Sequence, residues 1–194
     1  MSIADYVYDS MMLLGQQRYA SAMCLAMNAL DATAAREYPQ LKGRGHVTDR
    51  FLRFVRDQYD LVTNVGTGGA IYSAPGSHLN LPDPDKGTTN SLEDILYECM
   101  RCYLTHETKL PKDAFFNEQP VYGKTPQGFS IPVAMVYAVI LAVVGARTNV
   151  GETFDAPLGL TIKGQKIPIA ECWGCKEKIL SLLGMPLAPG SPGT

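Results

Sequence analysis

The chain has 194 residues, 46% of them hydrophobic, and a formal net charge of -2 at neutral pH. This length suits one domain with a modest appendage, and the apolar fraction is enough for a sizeable core. The slightly negative charge excludes a globally basic nucleic-acid binder, so any contact with RNA needs a local patch. The five cysteines lack the spacing of a secreted disulfide framework, which indicates a reducing, cytoplasmic location.

The N-terminal part of the sequence favours helices and argues against export. Acidic residues, not basic ones, precede its first apolar run, which is unlike a secretory signal. Helical periodicity predicts a short helix over 2–14, a long alanine-rich helix over 16–37 and a third helix over 48–62. The stretch 64–90 is rich in Gly, Pro, Asn and Asp, and we expect it to be a partly ordered insertion.

Two further helices are predicted in the middle of the chain. Ser91 is the predicted N-cap of a helix that continues to about His106, and Pro111 excludes a longer one. Ser130 is expected to cap the next helix, with Pro132 in its first turn. The apolar run 131–145 is shorter than the ~20 residues that span a bilayer, so it predicts a buried helix and no membrane partner.

The C-terminal part differs in pattern. Apolar and polar residues alternate over 158–163 and 166–170, on either side of a Gly-Gln turn, which predicts a β-hairpin. A last helix is predicted over 171–183. The Pro/Gly/Ser-rich tail, 186–194, is expected to be disordered.

Arg101 and His106, near the end of the helix that begins at Ser91, are the candidate catalytic residues. Histidine has an unperturbed pKa near neutrality and can move protons. Arginine is always charged, and its planar fork holds the oxygens of a crowded phosphate. The pair suits metal-free cleavage of RNA, in which His106 exchanges a proton with the 2′-OH or the leaving 5′-oxygen. Arg101 would stabilise the charged intermediate state, leaving a 2′,3′-cyclic phosphate and a 5′-OH.

The spacing of these two residues presents a geometric problem. In an α-helix of ~3.6 residues per turn, side chains five positions apart point roughly 140° away from each other. A frayed last turn or a second copy of the helix across a two-fold axis would bring them together. We therefore predict a homodimer with the active site at its interface. Tyr97 and Glu98 lie at neighbour spacing from Arg101, and a contact from either would orient the guanidinium.

The run Leu96–Glu107, LYECMRCYLTHE, resembles the signature helix of HEPN-domain proteins. That family has an arginine followed after four to six residues by a histidine, often within a similar leucine-tyrosine, arginine-cysteine and histidine-glutamate context. The resemblance implies a helical bundle and a dimeric, metal-independent ribonuclease of the toxin or phage-defence kind, with RNA as its partner, no cofactor, and an antitoxin or defence-system protein as a further partner. The residues expected to support Arg101 and His106 are Tyr97, Glu98, Cys102 and Glu107.

Together, the pattern and the resemblance predict an all-α fold. We expect a HEPN-like bundle of four to five helices over 1–149 that contains the insertion at 64–90. A small hairpin and helix, 150–185, form an appendage of the same domain, and 186–194 is the tail.

A basic patch precedes and includes the third predicted helix. Between positions 42 and 56 there are five basic residues and one acid, and three of the basic residues are spaced to lie along one face of the helix. They suit an RNA-backbone track or an ordinary solvated helix face, and both interpretations stay open. The patch consists of Lys42, Arg44, Arg50, Arg53 and Arg56.

Two alternatives to a nuclease remain. One is a zinc or redox protein that uses two Cys-x-x-Cys pairs, although the first pair lies mid-helix, where zinc loops rarely place both ligands. The other is a HEPN-like module that binds RNA, nucleotide or a partner protein without cutting. Cys102 favours this module, because many active HEPN members have a polar residue there. The four cysteines concerned are Cys99, Cys102, Cys172 and Cys175.

Overall fold

The computed structural model describes residues 1–71, 73, 78–86, 88–107, 109–154 and 156–186. Within this part of the chain the α-helices are α1 (Ile3–Gly15), α2 (Tyr19–Glu37), α3 (Val47–Asp57), α4 (Tyr59–Gly66), the short α5 (Leu92–Ile95), α6 (Ala134–Gly145) and α7 (Lys176–Leu182). A π-helix, Leu96–Glu107, directly continues α5.

Three small sheets accompany the helices. The strands are β1 (Asn80–Pro82), β2 (Thr89–Ser91), β3 (Ala114–Asn117), β4 (Gly123–Thr125), β5 (Gly128–Pro132), β6 (Gly159–Ile162) and β7 (Gln165–Pro168). β1 pairs with β2 and β6 with β7 as antiparallel hairpins. The middle sheet has the order β3-β5-β4, with β3 parallel and β4 antiparallel to β5. The hairpin predicted near the C-terminus is confirmed.

The expectation of an all-α bundle of four to five helices is wrong, because the fold mixes helices with strands. The strands have three to five residues each, too few to give a clear alternating pattern in the sequence. Ser130 illustrates the error. It lies inside β5, where its hydroxyl donates to the carbonyl of Val121 and accepts from the amide of Asn117, and α6 begins only at Ala134.

Other predicted segments differ in extent. The third predicted helix is two helices that break at Gln58, between α3 and α4. Of the insertion predicted at 64–90, the described part contains the end of α4 and the hairpin β1–β2, whereas 72, 74–77 and 87 lie outside the described residues. Of the predicted tail, only Pro186 is described.

Helix α6 lies at the centre of the core. It consists of apolar residues and packs against α2, α4 and α7. Gly66 allows the close approach of α4, since a Cβ at that position would lie 2.8 Å from the sulfur of Met135. In the part of the chain that is described, no helix combines the length and apolar character needed to cross a bilayer.

A fully buried carboxylate fixes the start of the helix that carries the candidate site. Glu93, on α5, accepts hydrogen bonds from Arg56 Nε at 2.7 Å and from the Tyr59 hydroxyl at 2.6 Å. The Tyr59 hydroxyl in turn accepts from the backbone N–H of Leu79, ahead of β1. Burial alone raises the pKa of Glu93, but the hydrogen bonds from Tyr59 and Arg56 outweigh it, so the pKa is lowered.

We predict that Glu93→Gln destabilises the protein at neutral pH by about 1–3 kcal/mol, because it removes the charge that Arg56 and Tyr59 share. A lowered folded-state pKa stabilises the fold above the unfolded value and loses that stabilisation as the pH falls through the folded value. The unsubstituted chain should therefore lose stability as the pH drops below 4.5, the ordinary value of this carboxyl, and the variant should depend less on pH there. Urea unfolding across this range measures both effects.

The matched control is Glu177→Gln, which removes an exposed carboxylate from α7. It should change the free energy of unfolding by less than about 0.5 kcal/mol. Equal stability of Glu93→Gln and the unsubstituted chain at neutral pH would contradict the anchoring role.

Candidate functional site

The helix that carries Arg101 and His106 is wound as a π-helix. Its hydrogen bonds join residue i to residue i+5, so one turn takes roughly four and a half residues. Tyr97, Arg101 and His106 are separated by four and then five positions and therefore lie along one side of the helix. We call these three residues the stripe. The expected divergence of roughly 140° assumed α-helical winding and is wrong for this segment.

Arg101 is held in place by two groups. Its Nε donates to Asp31 Oδ2 at 2.6 Å, and its guanidinium carbon lies 5.2 Å from the centre of the Tyr97 ring. Only 16% of the Arg101 side chain and 20% of the Asp31 side chain are exposed. Burial lowers the pKa of Arg101, but the hydrogen bond to Asp31 and its charge raise it above the ordinary value, so the group stays charged.

Tyr97 is fixed from the other side by α3. Its hydroxyl accepts a hydrogen bond from Thr48 Oγ1 at 2.7 Å, and its ring meets Phe51 edge-on with the ring centres 5.2 Å apart. Arg101 therefore lies between a carboxylate on α2 and an aromatic ring braced by α3. This arrangement leaves the guanidinium little rotational freedom.

His106 has a different environment. The side chain is exposed, and the structure records no hydrogen bond between its ring and another described residue. Leu104, two residues before His106 in the same helix, is buried, and its carbonyl accepts a long contact of 3.7 Å from Cys24 Sγ on α2. The helix is thus fixed to α2 close to His106, while the imidazole itself faces solvent.

The other predicted supporting residues do not all contact Arg101. Glu98 pairs with Lys86 at the surface, so Asp31, not Glu98, holds the guanidinium. Cys102 is half-buried next to Arg101, and Glu107 is exposed with Lys109 3.4 Å away. Sequence analysis missed Asp31. The available signal was an acid in the interior of the alanine-rich helix α2, whose other acid, Glu37, is its last residue.

The predicted basic patch is only partly free for a ligand. Arg56 is engaged by Glu93, Arg53 lies 4.8 Å over the ring of Tyr38, and Arg50 has a buried Nε without a hydrogen-bond partner among the described residues. Lys42 is exposed, and the side chain of Arg44 lies outside the described part of the chain.

The cysteines do not form a metal site. All five are free, and the described residues contain no group of three or more His, Cys, Asp or Glu that could hold a metal ion. Cys99 is buried, its thiol donates to Asp83, and burial raises its pKa to about 12. Cys172 is also buried, whereas Cys102 and Cys175 are half-buried.

Comparison with known proteins places this mixed helical protein in a family. A family model described as Rv1289 matches residues 2–187, so the chain belongs to the Rv1289 family. No curated protein and no solved structure gives a significant match to the chain.

We predict that Asp31→Ala lowers the free energy of unfolding by about 1–3 kcal/mol, because it leaves a largely buried guanidinium without its acceptor. Combining it with Arg101→Ala should restore part of the loss, and the double-mutant cycle gives the coupling energy. Urea unfolding of the four proteins measures it.

Asp49→Ala is the control, because Asp49 forms an exposed pair with His46 on α3. Surface pairs of this kind contribute about 0–1 kcal/mol. A coupling energy near zero between Asp31 and Arg101 would refute the proposed clamp.

Proposed function

We propose that this protein is a metal-independent endoribonuclease with Arg101 and His106 as its catalytic residues. The observation that supports it most is the π-helical winding, which aligns these two residues on one side of the helix, one turn apart. The resemblance of Leu96–Glu107 to the HEPN signature helix, which rests on the same two residues, favours the same proposal.

The two side chains suit different parts of the reaction. Arg101 is immobilised by Asp31 and Tyr97, and preorganised donors stabilise a transition state without reorganising during the reaction. Asp31 engages Nε, and the Nη groups are the ones that would meet the phosphate oxygens. Because Asp31 offsets the charge of Arg101, we expect directed hydrogen bonds to matter more than net attraction.

His106 supplies the proton transfer in this proposal. Its exposed imidazole takes the proton of the ribose 2′-OH, which attacks the adjacent phosphorus, or gives a proton to the leaving 5′-oxygen. The bond from phosphorus to the 5′-oxygen breaks, and the products carry a 2′,3′-cyclic phosphate and a 5′-OH. Asp31 and Tyr97 act as positioning residues through Arg101.

The setting of this activity is also proposed. We place the protein in the cytoplasm as a toxin or phage-defence effector, with an antitoxin or defence-system protein as a partner. A homodimer that closes over the stripe remains part of the proposal. The π-helical winding removes the geometric reason for expecting a homodimer, because one subunit already aligns Arg101 and His106.

A second candidate function is a module that binds RNA, nucleotide or a partner protein without cutting. The observation that favours it is the burial of Arg101, whose side chain is only 16% exposed and already paired with Asp31. In this case Arg101 fixes the π-helix to α2, and His106 has no reacting partner.

We predict that the purified chain cleaves a labelled single-stranded RNA in the presence of EDTA. Arg101→Ala and His106→Ala should each reduce the rate about 100-fold or more, since each removes a group that acts in the transition state. Gel analysis with end-group mapping measures the rate and identifies the termini. RNA with one 2′-deoxyribose at the cut site should resist cleavage there.

Arg147→Ala and His46→Gln are matched controls, because both residues are exposed and lie outside the stripe. They should retain the rate of the unsubstituted chain. Cutting at a 2′-deoxy linkage, or full activity of His106→Ala, would overturn the nuclease proposal. RNA binding without turnover would instead favour the second candidate.

A further inference from the structure

An open groove lies between the N-terminal end of α2 and β3, the edge strand of the middle sheet. Its central part has a volume of about 450 Å³ and is lined by Arg18, Tyr19, Leu110, Phe115 and Phe116, together with smaller neighbours. This volume falls within the range of about 300–1,000 Å³ in which proteins bind small organic groups. We call this part the aromatic groove.

The aromatic groove continues to the helix that carries the proposed catalytic pair. Ala20 and Ser21 line both the groove and a smaller apolar hollow of about 280 Å³. The far wall of that hollow is Leu104, two residues before His106 in the π-helix. Leu110, four residues after His106, lines the aromatic groove itself, so the groove lies beyond the C-terminal end of the π-helix.

The walls of the groove suit a flat, unpaired ring. Tyr19 and Phe116 meet edge-to-face with their ring centres 6.4 Å apart, and Phe115 adds a third half-buried aromatic side chain. The Tyr19 hydroxyl donates to Glu118 at 2.5 Å, which fixes the ring, and this bond raises the pKa of Tyr19 to about 12. Aromatic walls of this kind stack nucleobases without strong sequence preference.

Basic side chains border the groove and match a nucleic-acid backbone. Arg18 is exposed in the groove wall. An adjoining hollow shares Leu110 with the groove and is lined by two lysines, Lys109 and Lys112, and two acids, Asp85 and Glu107, of which Glu107 pairs with Lys109. A base in the aromatic groove would thus leave its phosphate within reach of lysine or arginine.

We infer that the aromatic groove binds one unpaired base of a single-stranded RNA, close to the linkage at Arg101 and His106. This inference rests on the proposed function and gives its substrate class: single-stranded RNA in which a base next to the cut is free to leave the stack. A duplex keeps its bases stacked and paired, so it would be a poor ligand.

The test uses the full chain with His106→Ala, so that binding is measured without cleavage. Fluorescence anisotropy with a short labelled single-stranded RNA gives the Kd. Adding Phe115→Ala should raise the Kd by about 5- to 150-fold, the range expected for the loss of one stacked base. Phe115→Trp keeps an aromatic face and should retain binding, which separates lost stacking from lost folding.

An abasic substitution in the RNA makes the test sharper. RNA that lacks the base next to the cut should bind about as weakly as intact RNA binds Phe115→Ala, and the two losses should not add. Tyr8→Ala is the matched control, because Tyr8, on α1, packs against Phe154 and lies outside the groove. It should leave the Kd unchanged.

Each outcome separates this inference from the nuclease proposal. If the unsubstituted chain cuts RNA and Phe115→Ala binds and cuts normally, the groove inference is overturned and the nuclease stands. If Phe115→Ala weakens binding but the unsubstituted chain does not cut, the inference stands and the nuclease fails. An absence of RNA binding, or equal affinity for duplex and single strand, also overturns the inference.

Discussion

The burial of α6 is the constraint on which the rest of the structure depends. This helix has no polar side and must be covered all round, and α2, α4 and α7 supply the cover. Helix α2 therefore has a double role, since it packs against α6 and also against α1 and the π-helix. The side-chain amide of Asn149 joins α2 to α6, because it donates to the Thr33 hydroxyl on α2 and to the carbonyl of Val143 on α6. A carboxylate on α2, Asp31, is thereby held on a rigid support.

The candidate site combines one fixed group with one free group. Arg101 is restrained by Asp31 and Tyr97, whereas the imidazole of His106 faces solvent. In the proposed reaction, the fixed guanidinium would favour a single orientation of a bound phosphate, and the exposed imidazole would exchange protons with water between turnovers. The same burial that fixes Arg101 limits access to it, so a ligand would approach along the exposed side of the stripe. The aromatic groove lies against the edge of the middle sheet, and the hollow that shares Ala20 and Ser21 with it reaches Leu104 of the π-helix.

The sequence predicted those parts of the fold that depend on local pattern. The first two helices were placed within three residues of their ends, and the C-terminal hairpin was found with its turn placed one residue too late, because apolar spacing and turn residues specify these elements. The parallel pairing of β3 with β5 was not predicted, since it joins short strands whose intervening segment has no clear signal. At the candidate site, Arg101 and His106 were proposed from residue type and spacing. The ion pair of Arg101 with Asp31 was not predicted, because a contact between α2 and the π-helix leaves no trace in local periodicity.

The winding of the π-helix determines how many residues must separate Arg101 from His106 if both are to lie on one side of the helix. Had one residue been deleted between Arg101 and His106, the arginine and the histidine would be four apart, which is neighbour spacing in an ordinary α-helix. The present chain keeps the same alignment with one more residue, by widening the turn. Insertions and deletions in this segment should therefore be tolerated in evolution only where the helix changes its hydrogen-bonding pattern at the same time.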